Sequence, residues 1–278
     1  MQFLMTAYNL LDKKAAYLNT GTWSKKAIKE AKLFGEVVTV ASSEDKNFNY
    51  IPKGYSIPED ADYFHTTSNN TIFGTQIKDF PETSVPMVCD MSSDIFSRQM
   101  DFSKFDLIYA GAQKNLGPSG VTVVILSPWA SSRRKEGLPT MLDYQTHISK
   151  GSMFNTPNTF GIFVLDRVLA WVERNGGLEG AIGRNSEKSG VLYDILDSSD
   201  FWRPHADSGC RSMMNVTWRL ADESLEQVFL EEAGDSGMGG LKGHRSVGGI
   251  RASLYNGCPI ESVEALASFM TDFESRHG

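Results

Sequence analysis

Three short runs, 85–89 (VPMVC), 105–110 (FDLIYA) and 121–126 (VTVVIL), are rich in β-branched and aromatic residues and lack the polar alternation of a half-exposed strand. Strands of that kind are buried on both faces, and such strands belong to mainly parallel sheets covered by helices. This confines the chain to the α/β class. Two earlier runs, 36–41 (EVVTVA) and 61–67 (ADYFHTT), extend the same sheet. Between them and the N-terminus, 24–34 reads as a helix with Ala27, Ile28, Ala31 and Phe34 on one face, Ser24 at its N-cap and Gly35 just past its end. The stretch 159–175 reads as a long helix, its apolar positions Phe163, Val164, Val168, Leu169, Trp171 and Val172 stopped by Gly176 and Gly177.

The pattern then changes to a smaller α+β unit. Helices are expected at 185–196 and 224–233, strands at 213–219 and 249–255, and a last helix from Pro259 with Val263, Leu266, Met270 and Phe273 on its buried stripe. The expected division is a large domain over 1–180 and a small C-terminal domain over 181–278. A length of 278 residues with 41% hydrophobic content suits two such cores.

A net charge of −7 argues against general affinity for nucleic acid or anionic membrane, while leaving room for a local basic cluster that holds one small anion. The three cysteines, Cys89, Cys210 and Cys258, form no C-x-x-C pair, and the histidines show no ligand spacing, so no metal site is expected and a reducing cytoplasm fits best. Residues 1–11 are apolar but short, have no basic residues ahead of them and run into Asp12-Lys13-Lys14. They suit neither a signal peptide nor a membrane span, and read as a helix entered in mid-course.

Polar residues stand directly after the strand-like runs: Ser68-Asn69-Asn70-Thr71, then Asp90, then Gly111-Ala112-Gln113-Lys114-Asn115. Ligands of open α/β sheets sit at the carboxyl ends of strands. A lysine in such a loop is a candidate Schiff-base former, because partial desolvation lowers its basicity and frees its lone pair. Alone, Lys114 reads better as a solvated surface group, as most strand-end lysines are. Asp90 changes the balance: pyridoxal-phosphate (PLP) chemistry needs a carboxylate opposite the pyridine nitrogen, although an Asp followed by Ser92 and Ser93 also suits a helix cap.

The blocks SNNTIFGTQ at 68–76, CDMSSDIFSR at 89–98, IYAGAQKNLGPSG at 108–120, SMFNTPNTF at 152–160 and GHRSVGGIRASLYN at 243–256 closely resemble, in order, those of the class V phosphoserine aminotransferases. The resemblance runs from Gln2 to the C-terminus and implies the type I fold of PLP-dependent transferases. It implies that Lys114 binds PLP and moves the proton at the substrate Cα, that Asp90 pairs with the pyridine nitrogen, that Trp23 stacks on the ring and that Thr71 bonds its 3-oxygen. Gln113 with Ser92 or Ser93 would fix ring and phosphate. Asn155 and Thr156 would reach across a homodimer to the neighbour's PLP phosphate, so that the subunits share their active sites. Arg251 would hold the substrate α-carboxylate and His244 with Arg245 its phosphate, with Tyr144 and His147 in supplementary places.

The implied reaction is amino transfer from L-glutamate to 3-phosphooxypyruvate, giving phosphoserine and 2-oxoglutarate. The family also acts on a longer phosphorylated 2-oxo acid on the route to vitamin B6. Full members are longer at the N-terminus, where a Gly-rich phosphate loop precedes the residues matched by Gln2 and Phe3. The alternative expectation is therefore an impaired fragment that folds but retains PLP poorly, with 121–126 as an uncovered sheet edge. A cysteine desulfurase, another chemistry of this fold, would need a mobile catalytic cysteine that no loop here supplies. A nicotinamide dehydrogenase would need a G-x-G-x-x-G turn, which does not occur.

Overall fold

The strand that organises the large sheet is one that the residue pattern hides. The computed structural model describes residues 1–245 and 247–278. Helix α1 (Gln2–Leu10) leads into strand β1 (Lys14–Asn19), helix α2 (Thr22–Ala31) and strand β2 (Glu36–Ser42). Then come β3 (Tyr63–Thr67), a short hairpin of β4 (Asn69–Asn70) and β5 (Thr75–Gln76), β6 (Met87–Asp90), β7 (Leu107–Gly111) and β8 (Thr122–Leu126). The six long strands form one sheet in the order β2-β1-β3-β6-β7-β8. All neighbours are parallel except β7 and β8, which are antiparallel. The mainly parallel α/β reading holds, but β8, expected to be buried on both faces, is an antiparallel edge strand with Thr122 and Ile125 exposed, because only one neighbour covers it.

Strand β1 was not expected, because KAAYLN offers two alanines and no β-branched residue. It lies between β2 and β3 and is buried along nearly its whole length. Pairing on both sides and burial of both faces override its weak intrinsic preference. One face of the sheet carries Phe64, Cys89, Ile108 and Ala110; the other carries Tyr17, Tyr63, Val88 and Leu107 against α1 and α2.

The N-cap of helix α2 lies three residues earlier than expected. Gly21 is its N-cap, and Ser24 sits one turn in, its hydroxyl accepting from the Thr20 and Gly21 amides at 3.0 Å each. The serine closes the turn from inside the helix.

After α3 (Pro128–Ser132) and α4 (Tyr144–Ser149), the long α5 (Thr159–Arg174) and α6 (Gly177–Leu196) follow almost without a break. Gly176 and Gly177 do end α5, but at φ +88° and +60° they reverse the chain straight into α6, which begins eight residues ahead of the expected helix. The remaining elements are β9 (Trp202–Pro204), β10 (Asn215–Leu220), α7 (Glu226–Asp235), β11 (Ile250–Ser253) and α8 (Ile260–His277). Strands β11-β10-β9 make an antiparallel sheet around a separate cluster of Trp202, Trp218, Phe229, Met270 and Phe273. The expected stripe of α8 is buried.

The hairpin β4–β5 joins the two sheets. Gly74 has φ +69°, and a Cβ there would stand 2.4 Å from Thr217 Oγ1 and 2.9 Å from Asn215 O, so only glycine lets the turn lie against β10. Thr217 Oγ1 donates to Phe73 O at 3.0 Å across this contact.

On β3, His65 is wholly buried, stacked on Tyr17 at 4.8 Å, with Nε2 2.9 Å from the Tyr109 hydroxyl. Burial pushes its imidazole down to about 3, so the folded protein holds it neutral. The unfolded chain takes up a proton below about pH 6.5, which makes His65 cost stability as pH falls from there toward 3, by about 1.4 kcal/mol per unit. Urea unfolding of wild type and His65→Gln between pH 7 and pH 5 should show a shallower pH slope in the variant; equal slopes would remove His65 as the cause.

Candidate active site

Four of the expected residues converge because they follow parallel strands and therefore emerge at the same edge of the sheet. Trp23 follows β1, Thr71 follows β3 through the hairpin, Asp90 ends β6, and Lys114 lies in the loop after β7. Lys114 Nζ donates to Thr71 Oγ1 at 2.9 Å and lies 5.8 Å from the centre of the Trp23 ring. Burial lowers the basicity of Lys114 and outweighs the opposing pull of Asp90, and the charge of Arg251 lowers it further.

Asp90 is buried, and burial pushes its carboxyl up; the hydrogen bonds from Ser92 and the charge of Lys114 pull the other way. Both Ser92 donors, the amide at 2.9 Å and Oγ at 2.6 Å, fall on one oxygen, Oδ1. Ser92 Oγ in turn accepts from the Gly111 amide at 3.1 Å, which ties the end of β7 to the end of β6. Of the two serines considered, Ser92 stands beside Asp90. Ser93 turns away, its hydroxyl donating to Asn69 O and accepting from Asn69 Nδ2.

Residues not singled out beforehand hold this edge in shape. Asp94, with no exposure, accepts from Ser68 Oγ, from Gln76 Nε2 at 3.1 Å and from Arg98 Nε and Nη2 at 3.3 and 3.2 Å. Asn69 donates to Asn215 Oδ1 at 2.8 Å and accepts from Ser212 Oγ at 2.5 Å, joining the site to the second sheet. Nothing local in the sequence marks Asp94 as buried; only the fold encloses it.

Arg251 lies on β11, opposite Thr217 of β10. Its Nε and the Nε1 of Trp23 are both buried without a protein partner. Both are donors that a ligand at this edge could satisfy, although Trp218 Nε1 and Arg211 Nε are likewise buried without a partner elsewhere. His244 is half-buried and Arg245 exposed, both in the loop leading into β11, while Gln113 is exposed beside Lys114. Asn155 and Thr156 are exposed ahead of α5, and no hydrogen bond joins them to Lys114, Asp90 or Trp23. Tyr144 is buried elsewhere, its hydroxyl donating to Gln2 Oε1, and His147 bonds Met141 O, so neither belongs to this group of residues.

Among the described residues no helix is long and apolar enough to cross a membrane, and no three His, Cys, Asp or Glu side chains gather as a metal site. What the edge offers is an amine of lowered basicity, a buried carboxylate, a flat aromatic face and an unsatisfied guanidinium. In the ligand-free protein the desolvated Lys114 ammonium is a cost. Lys114→Met should raise its stability by about 1 kcal/mol in thermal unfolding, as substitutions at functional sites often do. A lower melting temperature would show that the bond to Thr71 outweighs the desolvation.

The family model for aminotransferase class-V matches residues 3–266. The chain is 54% identical over 279 aligned positions to a phosphoserine aminotransferase from Parabacteroides distasonis, covering all of this chain and 79% of that protein. A solved phosphoserine aminotransferase from Bacillus circulans subsp. alkalophilus superposes with a TM-score of 0.97 at 49% identity, covering 100% of this chain and 78% of the other. The PLP-bound enzyme from Trichomonas vaginalis gives 0.92 at 35% identity, with 97% and 79% covered. With site geometry, sequence and fold in agreement, the chain belongs to the class-V aminotransferases, in the phosphoserine aminotransferase family.

Proposed function

We propose that this chain transfers the amino group of L-glutamate to 3-phosphooxypyruvate, giving phosphoserine and 2-oxoglutarate, with PLP carried on Lys114. The observation that carries this reading is Lys114 itself, a half-buried amine of lowered basicity set between Asp90, Thr71 and the Trp23 ring. The residues present fit the cofactor. Asp90 is a buried carboxylate in want of a cation, which a protonated pyridine nitrogen provides; Trp23 offers a ring face, Thr71 Oγ1 a partner for the 3-oxygen, and Ser92 with Gln113 further donors. When bound, PLP supplies an electron-accepting ring that stabilises negative charge at the substrate Cα.

The protein supplies the rest. Lys114 Nζ takes the proton from the substrate Cα and delivers it again, a role suited to an amine whose basicity burial has brought down. Arg251 grips the α-carboxylate through its planar fork, which would satisfy its orphaned Nε. His244 and Arg245 hold the substrate phosphate. The same residues would accept the longer phosphorylated 2-oxo acid of vitamin B6 synthesis, since both substrates share a carboxylate and a phosphate.

We read the protein as a cytoplasmic homodimer in which Asn155 and Thr156 reach the partner's PLP phosphate. Support comes from their exposure and from the apolar surface around them, where Met153, Phe154, Phe160 and Phe163 are 63%, 45%, 73% and 58% exposed. The division into 1–180 and 181–278 is supported by the separate hydrophobic clusters of the two sheets. The convergence of Trp23, Thr71, Asp90 and Lys114 favours a working site over an impaired fragment.

Lys114→Ala should abolish borohydride-trappable PLP, measured as labelled peptide; an adduct persisting on another lysine would remove the assignment. Arg251→Ala should raise KM for both L-glutamate and phosphoserine roughly 10- to 100-fold, as expected for losing a charge-assisted bond of about 1.5–3 kcal/mol. Arg245→Ala should raise it for phosphoserine only. Equal losses for both substrates in both variants would sink this division of roles.

A further inference from the structure

Just beyond Asp94 the chain makes a turn at residues 95–97, and three consecutive carbonyl oxygens of that turn are taken by three asparagines from distant segments. Asn115 Nδ2 donates to Ile95 O at 3.0 Å, Asn256 Nδ2 to Phe96 O at 3.0 Å, and Asn185 Nδ2 to Ser97 O at 3.1 Å. The asparagines are also joined to one another. Asn185 Nδ2 donates to Asn256 Oδ1 at 2.8 Å, and the Asn256 amide donates to Asn115 Oδ1 at 3.0 Å. All three are at most 5% exposed, so water cannot replace these bonds. Phe96 is held at φ +56°, a left-handed conformation that a bulky residue keeps only where its surroundings fix it.

The segments joined here are those that carry the chemistry. Asn115 is the covalent neighbour of Lys114. Asn256 stands where the chain leaves β11, the strand of Arg251, and the turn itself continues from Asp90. Asn185 belongs to α6, and one turn further along the same helix Lys188 Nζ donates to the carbonyls of Leu254, Tyr255 and Cys258 at 2.9, 2.9 and 3.1 Å. The segment bearing Asn256 is thereby fastened to α6 as well as to the turn. A carboxamide both donates and accepts without charge, which neither a carboxylate nor an aliphatic side chain of this length can do.

We propose that Asn115, Asn185 and Asn256 are positioning residues that set the distance between Lys114 and Arg251, and through it the placement of the substrate α-carboxylate relative to the reacting amine. The proposal rests on the reading above in which Arg251 binds that carboxylate. None of the three touches substrate; each acts through the strand or loop that it holds.

The test is a double-mutant cycle on the PLP-loaded protein, reading KM for L-glutamate and phosphoserine and the amount of borohydride-trapped PLP. Asn256→Ala should raise both KM values roughly 10- to 100-fold, the scale on which small misplacements act, while trapped PLP per folded chain stays at the wild-type level. In an Arg251→Ala background the same substitution should add less than about twofold, because its effect runs through Arg251. Where Asn256→Ala does not fold, Asn185→Ala, which removes only the outermost links, takes its place in the cycle. The proposal is overturned if the asparagine variants lower the melting temperature but leave KM unchanged, or if they raise KM by the same factor with and without Arg251. Failure of Arg251→Ala alone to raise KM would instead overturn the carboxylate assignment.

Discussion

The buried carboxylate of Asp94 is the interaction on which the working edge of this protein depends. With no exposure it collects donors from Ser68 at the end of β3, from Gln76 on β5 and from Arg98 in the following turn. A buried charge is tolerable only when it is paired and its lone pairs are occupied, and removing one partner of such a pair costs about 3–5 kcal/mol. Because the penalty for an incomplete set is so large, Asp94 holds three segments in one arrangement. Its charge also reaches Lys114, where it opposes the desolvation that lowers the amine.

That frame places two groups with opposite tendencies next to each other. Burial lowers the basicity of Lys114 and raises the carboxyl of Asp90, and each charge partly offsets the effect on the other. Opposed environments of this kind push the two groups' proton affinities apart, the pattern expected of an acid–base pair. The second sheet brings the charge of Arg251 to bear on Lys114, and it meets the first through polar contacts: Asn69 with Asn215 and Ser212, and the close approach at Gly74. Polar contacts of fixed geometry suit this junction, since apolar packing alone would leave the distance from Lys114 to Arg251 less sharply defined.

Where local residue pattern and environment agree, the chain could be read directly. β3, β6 and β7 are buried on both faces and declared themselves by composition; α5 and α8 by periodicity. Where the environment overrides the residue, reading failed. β1 has the composition of an indifferent segment and became central because strands pair on both sides of it. Gly176 and Gly177 signal a break, and the fold uses that break to begin α6. Ser24 looks like a cap and instead closes the turn from the third position of α2. Tyr144 and His147 pack and bond away from the site, which their place in a loop could not foretell.

The sequence by itself determined the α/β class and the family, and it pointed to Lys114 and Asp90 as neighbours, because residues after parallel strands are obliged to share one edge. Only the tertiary structure decided which of Ser92 and Ser93 faces Asp90, which carboxylate organises the edge, and that three asparagines, spread from 115 to 256, hold consecutive carbonyls of one turn. The physical reason is range. Burial patterns and strand-end loops are written in neighbouring residues, whereas the desolvation that makes a carboxylate or an amide decisive comes from segments far away in the chain.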